Sequence, residues 1–248
     1  AGIRRPVCRA VIGRAADRCA GLFGISSFLS RNRTLPRKRV LSLHPFTFRP
    51  TMTATITPFL FDQNLLLALN FDGGYLLDQV MYIISGKLTW IPFYVCVLWL
   101  IYARLGLRML ILFVLTVPLL ITCADQTATL AKTYFPKARP SHFELIMDQV
   151  HTVNGYRGGP YGTVSSHAAN CFGLALFTSL LIRRRWFTVT MFLWAAAVAY
   201  SRIYLGVHYP MDILIGTAEG LLWAWLWYRV LRWLEARVGR STARAATE

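Results

Sequence analysis

The segment Ser201–Asp212, SRIYLGVHYPMD, sets an arginine, a histidine and an aspartate within twelve residues, between long apolar runs. Charges so close to hydrocarbon are expensive unless they are paired or face a wet cavity, so such a cluster marks a candidate functional site. Pro210 suits the first turn of a helix, where its missing N–H is not needed. His208 then precedes the helix, and Asp212 falls in its opening turn, where a carboxylate suits the helix dipole. From there Asp212 can hold one imidazole nitrogen and leave the other with a free lone pair, the arrangement of an oriented nucleophile or base. Read alone, the segment fits equally well a membrane helix with an interfacial histidine and a capping aspartate.

The composition favours the membrane. Of 248 residues, 55% are hydrophobic and 15% charged, which describes an integral membrane protein better than a water-soluble domain. The net charge of +16 suggests nucleic acid only until it is mapped. Residues 1–51 hold eleven Lys/Arg and one acid, Asp17, and so supply +10 of it. Much of the remainder flanks apolar runs, and nucleic acid is not expected as a partner. The five cysteines show no metal-ligand spacing.

Along the chain, 1–51 is a basic arm, disordered or upstream of the true start, for which Met52 is the favoured position. Residues 52–86 are apolar but interrupted by Asp62, Asn70, Asp72 and Asp78, and read as two short interfacial helices joined at Asp72-Gly73-Gly74. The domain 87–234 carries the spans, near 88–103, 109–131, 168–182, 186–206 and 210–231, and a basic cytoplasmic tail occupies 235–248. The expected fold is all-α, a polytopic transmembrane bundle of five to six spans. Arg104 and Arg108, Arg183–Arg185 and the C-terminal arginines share one side if the spans alternate, and positive-inside bias makes that side cytoplasmic. The connection 132–167 and the turn at His208 then meet on the opposite face.

Two further groups lie on that face. In KTYFPKARP, Lys132 and Arg139 stand seven apart, so one helix face can present both unless Pro136 breaks it. Lysine offers a compact charge and arginine a planar fork matched to phosphate, although both also fit plain interfacial snorkelling. In GTVSSHAAN, Ser165 and Ser166 are good N-caps, the following helix start is an anion site, and His167 stands at its rim. Together Lys132, Arg139 and Arg202 supply positive charge, and two histidines and a carboxylate supply acid–base groups, which is what phosphoryl transfer from a lipid requires. Asp125, seven before Lys132, is expected to pair with it or face a wet cavity, with a structural role favoured. The glycines between Gly155 and Gly162 imply a bent loop before the cradle.

Three ordered motifs carry a family resemblance. Lys132–Pro140 fits K-x6-R-P, Val164–His167 is similar to P-S-G-H, and Ser201–Asp212 fits S-R-x5-H-x3-D. Over roughly residues 88–231 the chain resembles the type 2 phosphatidic acid phosphatases, membrane relatives of the vanadium haloperoxidases, and most their small bacterial branch. The resemblance implies that His208 is the nucleophile forming a phosphohistidine, that Asp212 orients it and that His167 is the general acid. It implies that Lys132, Arg139, Arg202, Ser165 and the Ser166 backbone hold the phosphate, with no metal and no cofactor. Val164 and Ser166 depart from the motif's Pro and Gly, and the latter tightens the cradle. The expected activity is hydrolysis of a lipid phosphate monoester or pyrophosphate: phosphatidic acid, phosphatidylglycerophosphate, undecaprenyl pyrophosphate or lipid A. The expected place is a bacterial inner membrane, with the site facing the periplasm. A lipid phosphotransferase using the same residues, or a noncatalytic lipid-phosphate carrier, is the alternative.

Overall fold

A computed structural model describes residues 52–245, so the expectations for 1–51 and for the last three residues lie outside the described part. Six α-helices make up the described chain: α1 (Met52–Leu69), α2 (Gly74–Ser85), α3 (Ile91–Tyr134), α4 (Ser166–Ile182), α5 (Arg185–Tyr204) and α6 (Pro210–Ala245). A single 3₁₀ turn, Leu88–Trp90, leads from α2 into α3. The interruption expected near Asp72 is the α1–α2 turn, where Gly74 donates its N–H to the Asp72 carboxylate at 2.8 Å.

Two of the expected spans are arms of one element. Gly106 breaks α3 with φ 79 and ψ 173, a conformation that costs glycine little because it has no Cβ. Leu88–Tyr134 and Arg185–Tyr204 are long and apolar enough to cross a membrane, and α4 is a shorter apolar helix. Trp99, Leu115, Leu119, Leu193 and Leu214 turn outward and are exposed. Helices apolar on both faces suit a lipid surrounding. α6 runs on to Ala245, beyond the end near 231 read from hydropathy.

α4 is central and packs on α3, α5 and α6. Its contact with α6 is unusually close. A Cβ added to Gly216 would meet the Ser165 carbonyl oxygen at 2.5 Å, and one on Gly220 would meet the Ala169 oxygen at 2.0 Å. Small residues four apart let two helix backbones touch in this way. The pairs Ser165–Gly216 and Ala169–Gly220 advance together, so α4 and α6 run parallel and start at the same end. Phe113, Leu120, Phe177, Met191 and Leu231 fill the core around them.

The basic turns gather at the other end of α6, where Arg108 donates to the Glu235 carbonyl at 2.6 Å and Arg183 to the Tyr228 hydroxyl at 2.9 Å. At the starting end, the connection after α3 folds back on itself. Ala138 and Tyr161 form an isolated bridge, and Arg139 donates its N–H to the Pro160 carbonyl at 3.0 Å. Asn70, buried after α1, donates to the Ile203 and Tyr204 carbonyls and accepts the His151 N–H at 2.7 Å. One amide thus joins α1, the end of α5 and the outer connection.

Candidate active site

α6 starts at Pro210, and Asp212 turns back to accept the Tyr209 N–H at 3.0 Å, satisfying a donor at the helix start. The same carboxylate oxygen lies 3.3 Å from His208 Nδ1, and the Gly162 carbonyl lies 3.2 Å from it. Both neighbours of Nδ1 are acceptors, so Nδ1 carries the proton and Nε2 keeps its lone pair. Arg139 Nη1 stands 3.5 Å from Nε2. His208 lies in the loop before α6, and burial, with Arg139, Arg202 and Lys132 nearby, holds its pKa well below 6.5. The ring is neutral at neutral pH.

Arg139 is fixed by the outer connection, with Nε on the Tyr161 carbonyl at 2.9 Å and Nη1 on the Val207 carbonyl at 3.2 Å. It does not share a helix face with Lys132. α3 stops at Tyr134, just before Pro136, and Arg139 is extended, at φ −67 and ψ 155. Chain reversal brings the two cations to one cavity instead. Lys132 donates to Ser166 Oγ at 2.8 Å. Ser165 is the N-cap of α4, its Oγ accepting the Ala168 N–H at 3.4 Å. Arg202, near the end of α5, donates to the Ser85 hydroxyl and, at 3.0 Å, to the Tyr156 hydroxyl, and its Nε is buried with no partner.

Lys132, Arg139, Ser166, His167, Arg202 and His208 all line one cavity of about 700 Å³. Away from these groups its wall is mostly apolar, drawn from both arms of α3 and from α4 and α5, including Tyr94, Val117, Ile121, Leu174 and Trp194. Three groups distant in sequence therefore meet at the polar head of a hydrocarbon-lined chamber.

Several site residues were missed in the sequence. Lys137 bridges Asp212 at 3.0 Å and Asp62 at 2.9 Å, and lies 4.0 Å from the Tyr209 ring centre. Asp62 also accepts the Met211 N–H at 3.0 Å, so α1 reaches the start of α6. The signal was available: Asp62 is a lone carboxylate in an apolar helix, and such groups are buried only with a partner. Asp125 does not pair directly with Lys132. It accepts from Asn170 Nδ2 at 2.9 Å and lines the cavity. His151 pairs with Asp78 at 2.9 Å, outside the cavity wall.

An all-α membrane bundle with a cationic, histidine-bearing pocket above an apolar chamber fits a membrane lipid phosphatase. The chain belongs to the PAP2 superfamily, whose pattern matches residues 107–236. It is 38% identical over 183 residues to the lipid A 4'-phosphatase of Bacteroides thetaiotaomicron, covering 73% of this chain and 81% of that one. It is 39% identical over 181 residues to the lipid A 4'-phosphatase of Porphyromonas gingivalis, covering 71% and 77%. The fold is similar to that of a transmembrane PAP2 type phosphatidylglycerolphosphate phosphatase from Bacillus subtilis, with a TM-score of 0.54 at 17% identity over 75% of this chain and 90% of that one.

Proposed function

We propose that this protein removes a phosphate from lipid A through a phosphohistidine on His208, at the exoplasmic face of a bacterial inner membrane. The observation that carries the reading is His208 Nε2, left as the acceptor nitrogen with Arg139 Nη1 at 3.5 Å, in a cavity shared with Lys132, Arg139, Arg202 and His167. The choice of lipid rests on the two lipid A 4'-phosphatases that resemble the chain. On a count of five spans, with both arms of α3, positive-inside bias supports basic turns on the cytoplasmic side and a site on the periplasmic side.

In this mechanism the cations, Arg202 among them, and the start of α4 clamp the nonbridging oxygens. Nε2 of His208 bonds to phosphorus as the phosphorus–oxygen bond to the lipid breaks. His167 gives its proton to the departing oxygen. Water then attacks phosphorus, His167 takes a proton from it, and the phosphorus–nitrogen bond breaks to release inorganic phosphate. Asp212 keeps the Nδ1–H tautomer and balances the charge that develops on the ring. No step calls for a metal.

The test is His208→Ala in the purified, membrane-inserted protein, assayed for phosphate release from lipid A. Turnover is expected to vanish while insertion persists, and acid-labile phosphate is expected on the wild-type protein alone. Substantial turnover by the variant refutes the nucleophile. Labelled phosphate appearing on a second lipid instead of in water marks a phosphotransferase, and binding without turnover marks a carrier.

A further inference from the structure

Besides the phosphate-facing groups and Ser85, Lys87 and Tyr156, the chamber carries a polar pair that the phosphate chemistry does not use. Asp125 on α3 and Asn170 on α4 both line it. Their neighbours one turn away on the same faces, Ile121 and Leu174, are apolar and line it too. Asn170 follows His167 by three residues, so it lies about 4.5 Å further along α4, on nearly the same face as the histidine.

The hydrogen bonding of this pair is one-sided. An ionised carboxylate only accepts, so Asn170 must turn its Nδ2 to Asp125, as it does at 2.9 Å. That leaves Asn170 Oδ1 buried without a partner. Among the described residues the second carboxylate oxygen of Asp125 accepts no hydrogen bond either, and Lys132 spends its contact on Ser166. The buried Asn170 oxygen is costly when unfilled, and what both oxygens lack is a donor.

We propose that Asp125 and Asn170 form a specificity subsite for a hydrogen-bond donor of the lipid, an amide N–H or hydroxyl a few atoms from the reacting phosphate. The proposal rests on the phosphatase reading above and narrows its substrate class. Acyl esters of glycerol phosphate offer carbonyl acceptors at that position and meet two further acceptors. An N-acylated amino-sugar phosphate, the chemical class of lipid A, offers the donor. A site built around a hydrogen bond rejects an analogue that lacks it more strongly than an apolar pocket rejects a change of size.

The experiment compares two lipid phosphates of equal chain length on the wild-type protein in detergent. One is an N-acylated amino-sugar phosphate, and the other is its O-acyl analogue, with ester oxygen in place of the amide N–H. kcat/KM is expected to favour the amide by roughly tenfold or more. The combined Asp125→Leu and Asn170→Leu substitutions are expected to erase most of that ratio. Equal turnover of both lipids by the wild type overturns the subsite alone, and needs no variant to fold. A ratio that survives both substitutions also overturns it. Turnover of neither lipid refutes the phosphatase reading and the subsite with it.

Discussion

Replacing Gly220 with alanine tests whether α6 sets the spacing of the two histidines. The new Cβ would start 2.0 Å from the Ala169 carbonyl oxygen and 2.7 Å from its Cα, all backbone atoms that cannot rotate away. Ordinary contact begins at 3.4 Å, so α4 and α6 must part by about 1.4 Å at this level. Ala169 is two residues from His167, whereas His208 precedes α6, so the separation falls between the groups that must act together. A misplacement of about 1 Å costs on the order of 100-fold in rate, and overpacking of this kind destabilises by roughly 1–3 kcal/mol. Gly220→Ala is therefore expected to lower kcat by about 100-fold and to reduce thermal stability in detergent. Gly216→Ala, with its clash at 2.5 Å, should lose less stability. Wild-type kcat and melting in Gly220→Ala would show that the helices do not touch in this register.

Lys137→Met leaves Asp62 and Asp212, both buried, without their shared cation. Breaking a buried pair from one side costs roughly 3–5 kcal/mol, so thermal unfolding should move down sharply, with partial recovery on adding Asp62→Asn. An unchanged melting point refutes the pairing. The depressed pKa of His208 makes the neutral ring persist below pH 6.5. As pH falls through that lower pKa the imidazolium forms and the nucleophile is lost, so 15N-histidine NMR should show an Nδ1–H tautomer titrating below 6.5. A midpoint at or above 6.5 contradicts the burial and charge argument. The reaction should continue in excess chelator, since the one group of described residues able to offer three metal ligands, Asp72, Asp78 and His151, does not line the cavity. Activity lost in chelator and restored by a divalent ion would demand a metal mechanism.

The sequence was most legible where residues lie close together along the chain. Pro210, Asp212 and His208 obey local helix-start rules, and Ser165 is a local cap, so their geometry could be read in advance. The helices themselves announce their apolar runs. Contacts made across the fold were not legible: Asp62 to Lys137, Ser85 to Arg202 and Asn70 to the end of α5 join positions with no periodic relation. Lys132 and Arg139 do not share a helix face, the outcome left open at Pro136: the helix ends before it, and the outer connection then turns Arg139 back over the site. Asp125 was legible in part: it faces the cavity, one of the two placements expected, while its partner is Asn170 from the neighbouring α4 and not the cation seven residues on.

The two arms of α3 explain why a cationic pocket and a hydrocarbon chamber occur together. Trp90 and Tyr94 at the start of the first arm and Phe113 to Ile121 on the second line the same chamber, and the arms are joined through the Gly106 break. The second arm continues to Lys132, so the apolar wall of the chamber also delivers one of the pocket's cations. α4 does the same in the opposite direction, from His167 at the polar head to Leu174 in the apolar part. On the function proposed above, a lipid with its chains in the chamber would be aligned with its phosphate toward His208. The binding energy of chains that do not react is then available to hold the reacting group in place. This geometry predicts that shortening the acyl chains lowers kcat as well as raising KM, and a loss confined to KM would separate the chamber from the chemistry.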